Sequence, residues 1–347
     1  MQYTTASIIR IYQAAQFNLI KTIAEKEARG NVIQYQRSLL SQVNAQLVTL
    51  DRQSKVWADG AMPLYYQTGL GQTNAALRKM GVKVETSAFS LLHTRAVGVL
   101  AFNTYGQFHD ANVFVGRQIN DIIRQVGIEV IGEKVATGAT VKEAKKQITQ
   151  RLIDEGFNGI RDKRGRTISL ESYANVVARS TTREATNTAT LNQLGYLGYD
   201  LVKMSDHASP CPICAPLEGR VYSISGNDPR YPALDIAHGG GYANIHPNCQ
   251  HVLTPYIEEL AKDPDKDRVF SNRTFDTDPR SQREINAYNS AQKEKRLLRA
   301  DRDQYERYKL AMPDEISTFS AFRRMKNADS DRWNELQGEY RSIRQIR

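Results

Sequence analysis

The chain has 347 residues, of which 40% are hydrophobic and 24% charged, ordinary globular values in a chain long enough for two domains with cores of their own. No run approaches the roughly 18 apolar residues of a membrane-spanning helix, and the start lacks the features of a secretory signal, so a protein that folds in the cytoplasm is expected. Lys and Arg total 47 against 38 Asp and Glu, and the net charge of +9 suits a polyanion as well as it suits a mixed solvated surface.

Taken in chain order, the first segments read as helices. Ile8, Tyr12, Ala15, Leu19 and Ile23 recur at helical spacing, as do Val32, Leu39, Val43, Leu47 and Leu50, and then Phe89, Leu92, Ala96 and Val99. Each set makes an apolar stripe suited to a bundle core, with "DGAMP" (59–63) expected as a turn between segments. The spacing of Thr140 and Glu143 is a capping box, followed by Val141, Ala144, Ile148 and Leu152 on one helical face and Gly156 as the stop.

The stretch "NGIRDKRGRTIS" reads as a solvated basic turn, in which Arg161, Lys163, Arg164 and Arg166 are candidate phosphate contacts. Ser169 is placed to cap the next helix, which carries Tyr173, Val176, Ser180, Leu191 and Leu194 on or near one side. "DLVKMSD" and "RVYSIS" are short β-type runs. From Lys262 a polar stretch rich in Asp and Pro reads as a linker, and a highly charged helix with a thin apolar stripe follows it, ending near Pro313.

All three cysteines lie in two short motifs, "CPIC" at 211–214 and "HPNC" at 246–249. Two residues between donors is the spacing at which a tight turn aims both at one tetrahedral ion, so Cys211, Cys214, His246 and Cys249 are the candidate metal ligands. His207 and His251 flank the motifs as alternative ligands or as partners that orient a ligand. Three thiolates and an imidazole around Zn²⁺ leave no open coordination position, which makes the expected ion structural, a staple between two loops.

Competing chemistry for these residues is less well supplied. A zinc deaminase needs an H-x-E that the chain lacks, and a redox "CPIC" needs a strand and crossover helix that the pattern does not offer. A metal-dependent nuclease using Asp206, His207 and His251 stays open on spacing alone, as does a free-standing zinc-stapled DNA-binding protein.

The residues from "YANVVARSTTREATNTATLNQLGYLGYDLVKMSDHASPCPICAPLEGRVYSISG" through "GGGYANIHPNCQHVLTPY" to "FSNRTF" resemble the phage minor capsid protein 2 family, a relative of the Mu F-like head morphogenesis proteins. The resemblance covers roughly 170–310. It implies a low-copy virion component that associates with the portal protein, the major capsid protein or packaged double-stranded DNA, without a membrane, inside the capsid or near the portal once assembled. It also implies that the family's cysteine and histidine motif falls on Cys211, Cys214, His246 and Cys249, that its helical arginines fall on Arg179 and Arg183, and that the protein is not an enzyme. The expected fold is mainly α with a small α+β zinc-knuckle module and extended helical N- and C-terminal regions, divided as 1–135, 136–260 and 261–347.

Overall fold

The computed structural model describes residues 3–84, 90–137, 140–155, 159–161, 167–237 and 244–345. Among the described residues helices predominate, accompanied by a two-stranded ribbon and a three-stranded sheet, the mainly α architecture with an α+β module that the sequence predicts. None of the described helices is long and apolar enough to cross a membrane. The residues gather into two compact units, one made of Met1–Ile8, Lys55–Gln107 and Asn175–Gln292, the other of Ile9–Ser54, Phe108–Ala174 and Lys293–Arg347.

Four of the helices are α1 (Thr5–Glu25), α2 (Val32–Lys79), α3 (Leu91–Thr137) and α4 (Val141–Glu155). The stripes Ile8, Tyr12, Leu19, Ile23 and Val32, Leu39, Val43, Leu47, Leu50 are buried, as their spacing requires. The predicted turn at 59–63 does not form. Instead α2 runs through it, because Ala58, Ala61 and Met62 are fully buried and Gly60 lies against the ring of Tyr3, so packing overrides the breaking tendency of Gly60 and Pro63.

The stripe expected at the start of α3 also has the wrong phase. Leu92 and Val99 are exposed and Phe89 lies outside the described residues, while His93, Leu100, Thr104 and Phe108 face inward. Two of those four are polar. His93 shares a hydrogen bond of 2.8 Å with the Tyr66 hydroxyl, and the partnered ring fills a core position that a hydrophobicity pattern skips.

In the second unit α4 begins as the capping box predicts, with Glu143 N donating to Thr140 Oγ1 at 3.3 Å, and buries Val141, Ala144, Ile148 and Leu152. Gly156 lies outside the described residues. Strands β1 (Gly159–Arg161) and β2 (Thr167–Ser169) pair antiparallel, with Arg161 opposite Thr167.

The long helix α5 (Leu170–Leu197) is capped by Ser169, whose Oγ accepts from Ser172 N at 3.2 Å. In the first unit it packs against α2 through small and polar residues. Thr73 and Thr190 share a hydrogen bond of 2.9 Å, Asn192 donates to the Tyr66 hydroxyl at 2.8 Å, and Gly69 lets the backbone of Thr186 come close.

Beyond α5 come β3 (Leu201–Met204), β4 (Val221–Ser223) and β5 (Leu253–Pro255), an antiparallel sheet in the order β4-β3-β5. Its core of Val202, Met204, Leu217, Tyr222, Leu234 and Leu253 packs with Leu77 and Leu194. The polar stretch after the sheet contains helix α6 (Pro264–Ser271), capped by Asp263. Buried Arg220 holds it by donating to the carbonyls of Ser271, Arg273 and Thr274, with its guanidinium 4.0 Å from the Phe275 ring centroid.

Helix α7 (Gln282–Ala311) is followed by α8 (Phe319–Asn327) and α9 (Asp331–Gln345). In the second unit Tyr308 stacks on Tyr340 with centroids 4.2 Å apart, and Phe322 meets Trp333 edge-on at 5.2 Å. Every residue of α7 from Lys293 to Ala300 is exposed.

Candidate metal centre

Sheet order explains how two distant motifs meet. The central strand β3 ends at Met204, opposite Leu253 of β5, and Met204 N donates to Arg220 O just before β4 begins. The loop from β3 to β4, which carries Cys211 and Cys214, therefore leaves the same end of the sheet as the segment that runs into β5 with His246, Cys249 and His251.

Each motif is itself a tight turn. Cys214 N donates to Cys211 O at 3.1 Å and lies 3.4 Å from Cys211 Sγ, while Cys249 N donates to His246 O at 3.0 Å. Two special backbone positions frame these turns. Asn248 has φ of 67°, which Asn tolerates better than most residues, and Gly219 has φ of 74°, with the Asp206 carboxylate occupying the space a Cβ would need.

Helix α5 holds the second turn from one side. Ser180 Oγ accepts from Asn248 N at 2.8 Å, Ser180 O accepts from Asn244 Nδ2 at 2.9 Å, and buried Asn187 donates to His251 O and accepts from Leu253 N, both at 3.1 Å.

Two groups of donors result. Cys211, Cys214 and His246 have ligand atoms within 4.8 Å of one another, and so do Cys214, Cys249 and His251, so that Cys214 belongs to both. His246 Nε2 lies 3.1 Å from Cys211 Sγ and 3.0 Å from Cys214 Sγ, and its Nδ1 faces the Pro247 carbonyl at 2.6 Å. A carbonyl only accepts, so Nδ1 carries the proton and Nε2 is free to ligate. His251 is arranged with the nitrogens exchanged. Its Nε2 is 2.9 Å from the Glu218 carboxylate and its Nδ1 is 3.4 Å from Cys249 Sγ, a carboxylate–histidine pair of the kind that orients metal ligands.

Electrostatics prepares the sulfurs. Without an ion, the Cys214 hydrogen bond pulls the Cys211 and Cys249 thiols well below their usual range, while Cys214, which shares its proton with both and is buried, is pushed up. The Cys211 thiolate raises His246 to about 9. Burial works against charge on His251, but hydrogen bonds to Cys249 and Glu218 outweigh it and raise this imidazole too. Partly or fully buried sulfurs, together with imidazoles whose remaining nitrogens already have partners, form a donor set that can hold a metal ion.

The four ligands expected from the motifs thus fall across the two groups, and His251 joins the second. His207 stands beside them, its ring edge-on to His251 at 4.2 Å and its backbone N donating to Glu218 at 3.2 Å. Arg161 lies on β1, away from the cluster in sequence, and Lys163, Arg164 and Arg166 lie outside the described residues. Sequence reasoning missed Glu218 and Asn187. An acid seven residues after Cys211 in "CPICAPLEG" was the available signal for the first, whereas nothing local marked Asn187, which reaches the site only through the packing of α5.

The chain is 33% identical over 103 residues to a curated protein named "Structural protein" from Lactococcus phage LL-H. That alignment covers 28% of this chain and 28% of the relative, so the chain matches well under two thirds of the relative's length. No solved structure matches. A family model described as phage minor capsid protein 2 matches residues 68–326, from the last turns of α2 to the last turn of α8 and so across all of the candidate metal ligands. With well over half of its length matched, the chain belongs to the phage minor capsid protein 2 family.

Proposed function

We propose that the protein is a low-copy structural component of the phage virion, seated at the portal or on the inner face of the capsid, where it aids assembly or genome delivery and catalyses no reaction. Family membership and the phage structural relative support the virion role. The observation that carries the non-catalytic reading is how the donor cluster closes on itself. Cys211, Cys214 and Cys249 face imidazole nitrogens, and the second nitrogen of each imidazole is engaged by Pro247 O or Glu218. Such a cluster serves as a staple that fixes two loops.

The ion proposed is Zn²⁺, held by Cys211, Cys214, Cys249 and one imidazole, His246 or His251, because soft thiolates with imidazole favour it over harder cations. Portal protein, major capsid protein and packaged double-stranded DNA are the proposed neighbours, the last supported by the net charge of +9. Mass spectrometry of purified virions before and after DNA release tests the assignment. The protein should be present at low copy, and its absence from particles would end the reading.

In a nuclease using Asp206, His207 and His251 the activation of water would fall to His207, because both nitrogens of His251 are engaged. Incubation of the protein with plasmid and Mg²⁺, Mn²⁺ or Zn²⁺ separates the two. Cleavage abolished by His207→Ala or His251→Ala would favour the enzyme.

A further inference from the structure

Arg183 occupies an unusual position. It follows Ser180 by three residues and precedes Asn187 by four, and those two side chains hold the backbone on either side of Cys249, so helical spacing puts Arg183 on the same face of α5. The residue is half-buried. Its Nε is shut away from solvent without a hydrogen-bond partner, and among the described residues no carboxylate pairs with its guanidinium.

Neither Glu218 nor Glu184 supplies that partner. Glu218 receives His251 and the backbone of His207, and Glu184, next in sequence, makes no ion pair among the described residues and is pushed by burial toward its neutral form. Burial acts against the charge of Arg183, and the Cys249 thiolate acts in its favour.

Arginine cannot shed its proton to relieve burial, so a half-buried, unpaired guanidinium is costly unless an anion faces it. A dication bound by three thiolates and one neutral imidazole carries a net charge of −1, whereas two thiolates and two imidazoles would leave it neutral. Only the first arrangement uses the charge on α5. We infer, on the metal-binding reading proposed above, that Arg183 is the counter-charge of the metal centre, neutralising a three-thiolate site whose third sulfur is Cys249. Arg183 is a positioning residue in this role and does not ligate. Its charge selects the thiolate-rich ligand set.

The test uses the full chain loaded with Co²⁺ and with Zn²⁺, with affinity measured by chelator competition and the sulfur-to-cobalt absorption band recorded for each variant. Arg183→Met should weaken binding about 10–100-fold, the usual cost of losing a group that supports a metal's ligands, and should diminish the band. Arg183→Lys, which keeps the charge and changes the shape, should stay within a few-fold of the parent, and Arg179→Met, an exposed neighbour on the same helix, should change neither readout.

Parent-like affinity in Arg183→Met would overturn the assignment. So would equal weakening in the Met and Lys variants, which would ascribe the loss to packing. Inorganic phosphate that binds the parent but not Arg183→Met would show that the guanidinium serves an external anion instead. A parent chain that binds neither ion would remove the metal centre itself, a failure separable from the others because it appears before any substitution is made.

Discussion

Cys214 belongs to both donor groups, and its loss should be felt more than that of either imidazole. Cys214→Ala is expected to abolish stoichiometric metal binding and lower the melting temperature, while His246→Ala and His251→Ala, each leaving one oriented imidazole, should weaken affinity by about 10–100-fold. Elemental analysis and thermal melts check the order, which reverses if either histidine variant loses its metal while Cys214→Ala keeps it. The thiols were legible in the sequence because cysteine occurs in this chain only there. Which imidazole faces which sulfur was not legible, since that depends on Glu218 and the Pro247 carbonyl, contacts that spacing does not encode.

A second residue-scale prediction concerns Asp301 on α7, whose carboxylate meets Lys326 Nζ at 2.6 Å and Arg323 Nε at 3.0 Å. Burial opposes its charge, but these two hydrogen bonds outweigh it and hold the carboxyl below its usual range. A depressed acid contributes stability above its unfolded-state pKa and loses that contribution as pH falls through the folded value. Because both cations are partly exposed, Asp301→Asn should cost only about 1–2 kcal/mol at neutral pH. The difference should shrink at acid pH, as the carboxyl takes up its proton in the folded chain. Urea unfolding of parent and variant at neutral and acid pH measures it, and an equal cost at each would refute the linkage.

At the scale of elements, the contact between α2 and α5 depends on Gly69. A Cβ there would lie 2.4 Å from Thr186 O and 2.8 Å from Thr186 Cα, both backbone atoms with little room to move. Gly→Ala within a helix ordinarily gains about 0.5–1 kcal/mol, but here the overlap should reverse the sign and cost about 1–3 kcal/mol. Gly71→Ala, two residues on with nothing within 4 Å of its Cβ, should show the ordinary gain. Chemical denaturation of the pair decides the matter.

Sequence patterns identified α4 and α5 well, since a capping residue precedes an apolar stripe in each. They failed where tertiary packing overrode local preference. Gly60 and Pro63 look like punctuation until Trp57, Ala61 and Met62 are seen to be buried around them, and the inward face of α3 is hidden because His93 and Thr104 hold places that apolar residues usually fill.

For the whole molecule, the division into two units is the feature least legible from the sequence. Each unit draws on three separate stretches of chain, and a change in composition such as the one near Lys262 carries no information about which distant stretches share a core. The exposed middle of α7 has a practical consequence. Lys293, Lys295, Arg296 and Arg299 sit on turns whose side chains are all exposed, so these turns should open at a smaller free-energy cost than the buried turns of α2 or α5. Brief digestion of the native protein with trypsin should cut the chain between Lys293 and Arg299 well before any site in the buried lengths of α2 or α5, and the fragment masses would mark the segment.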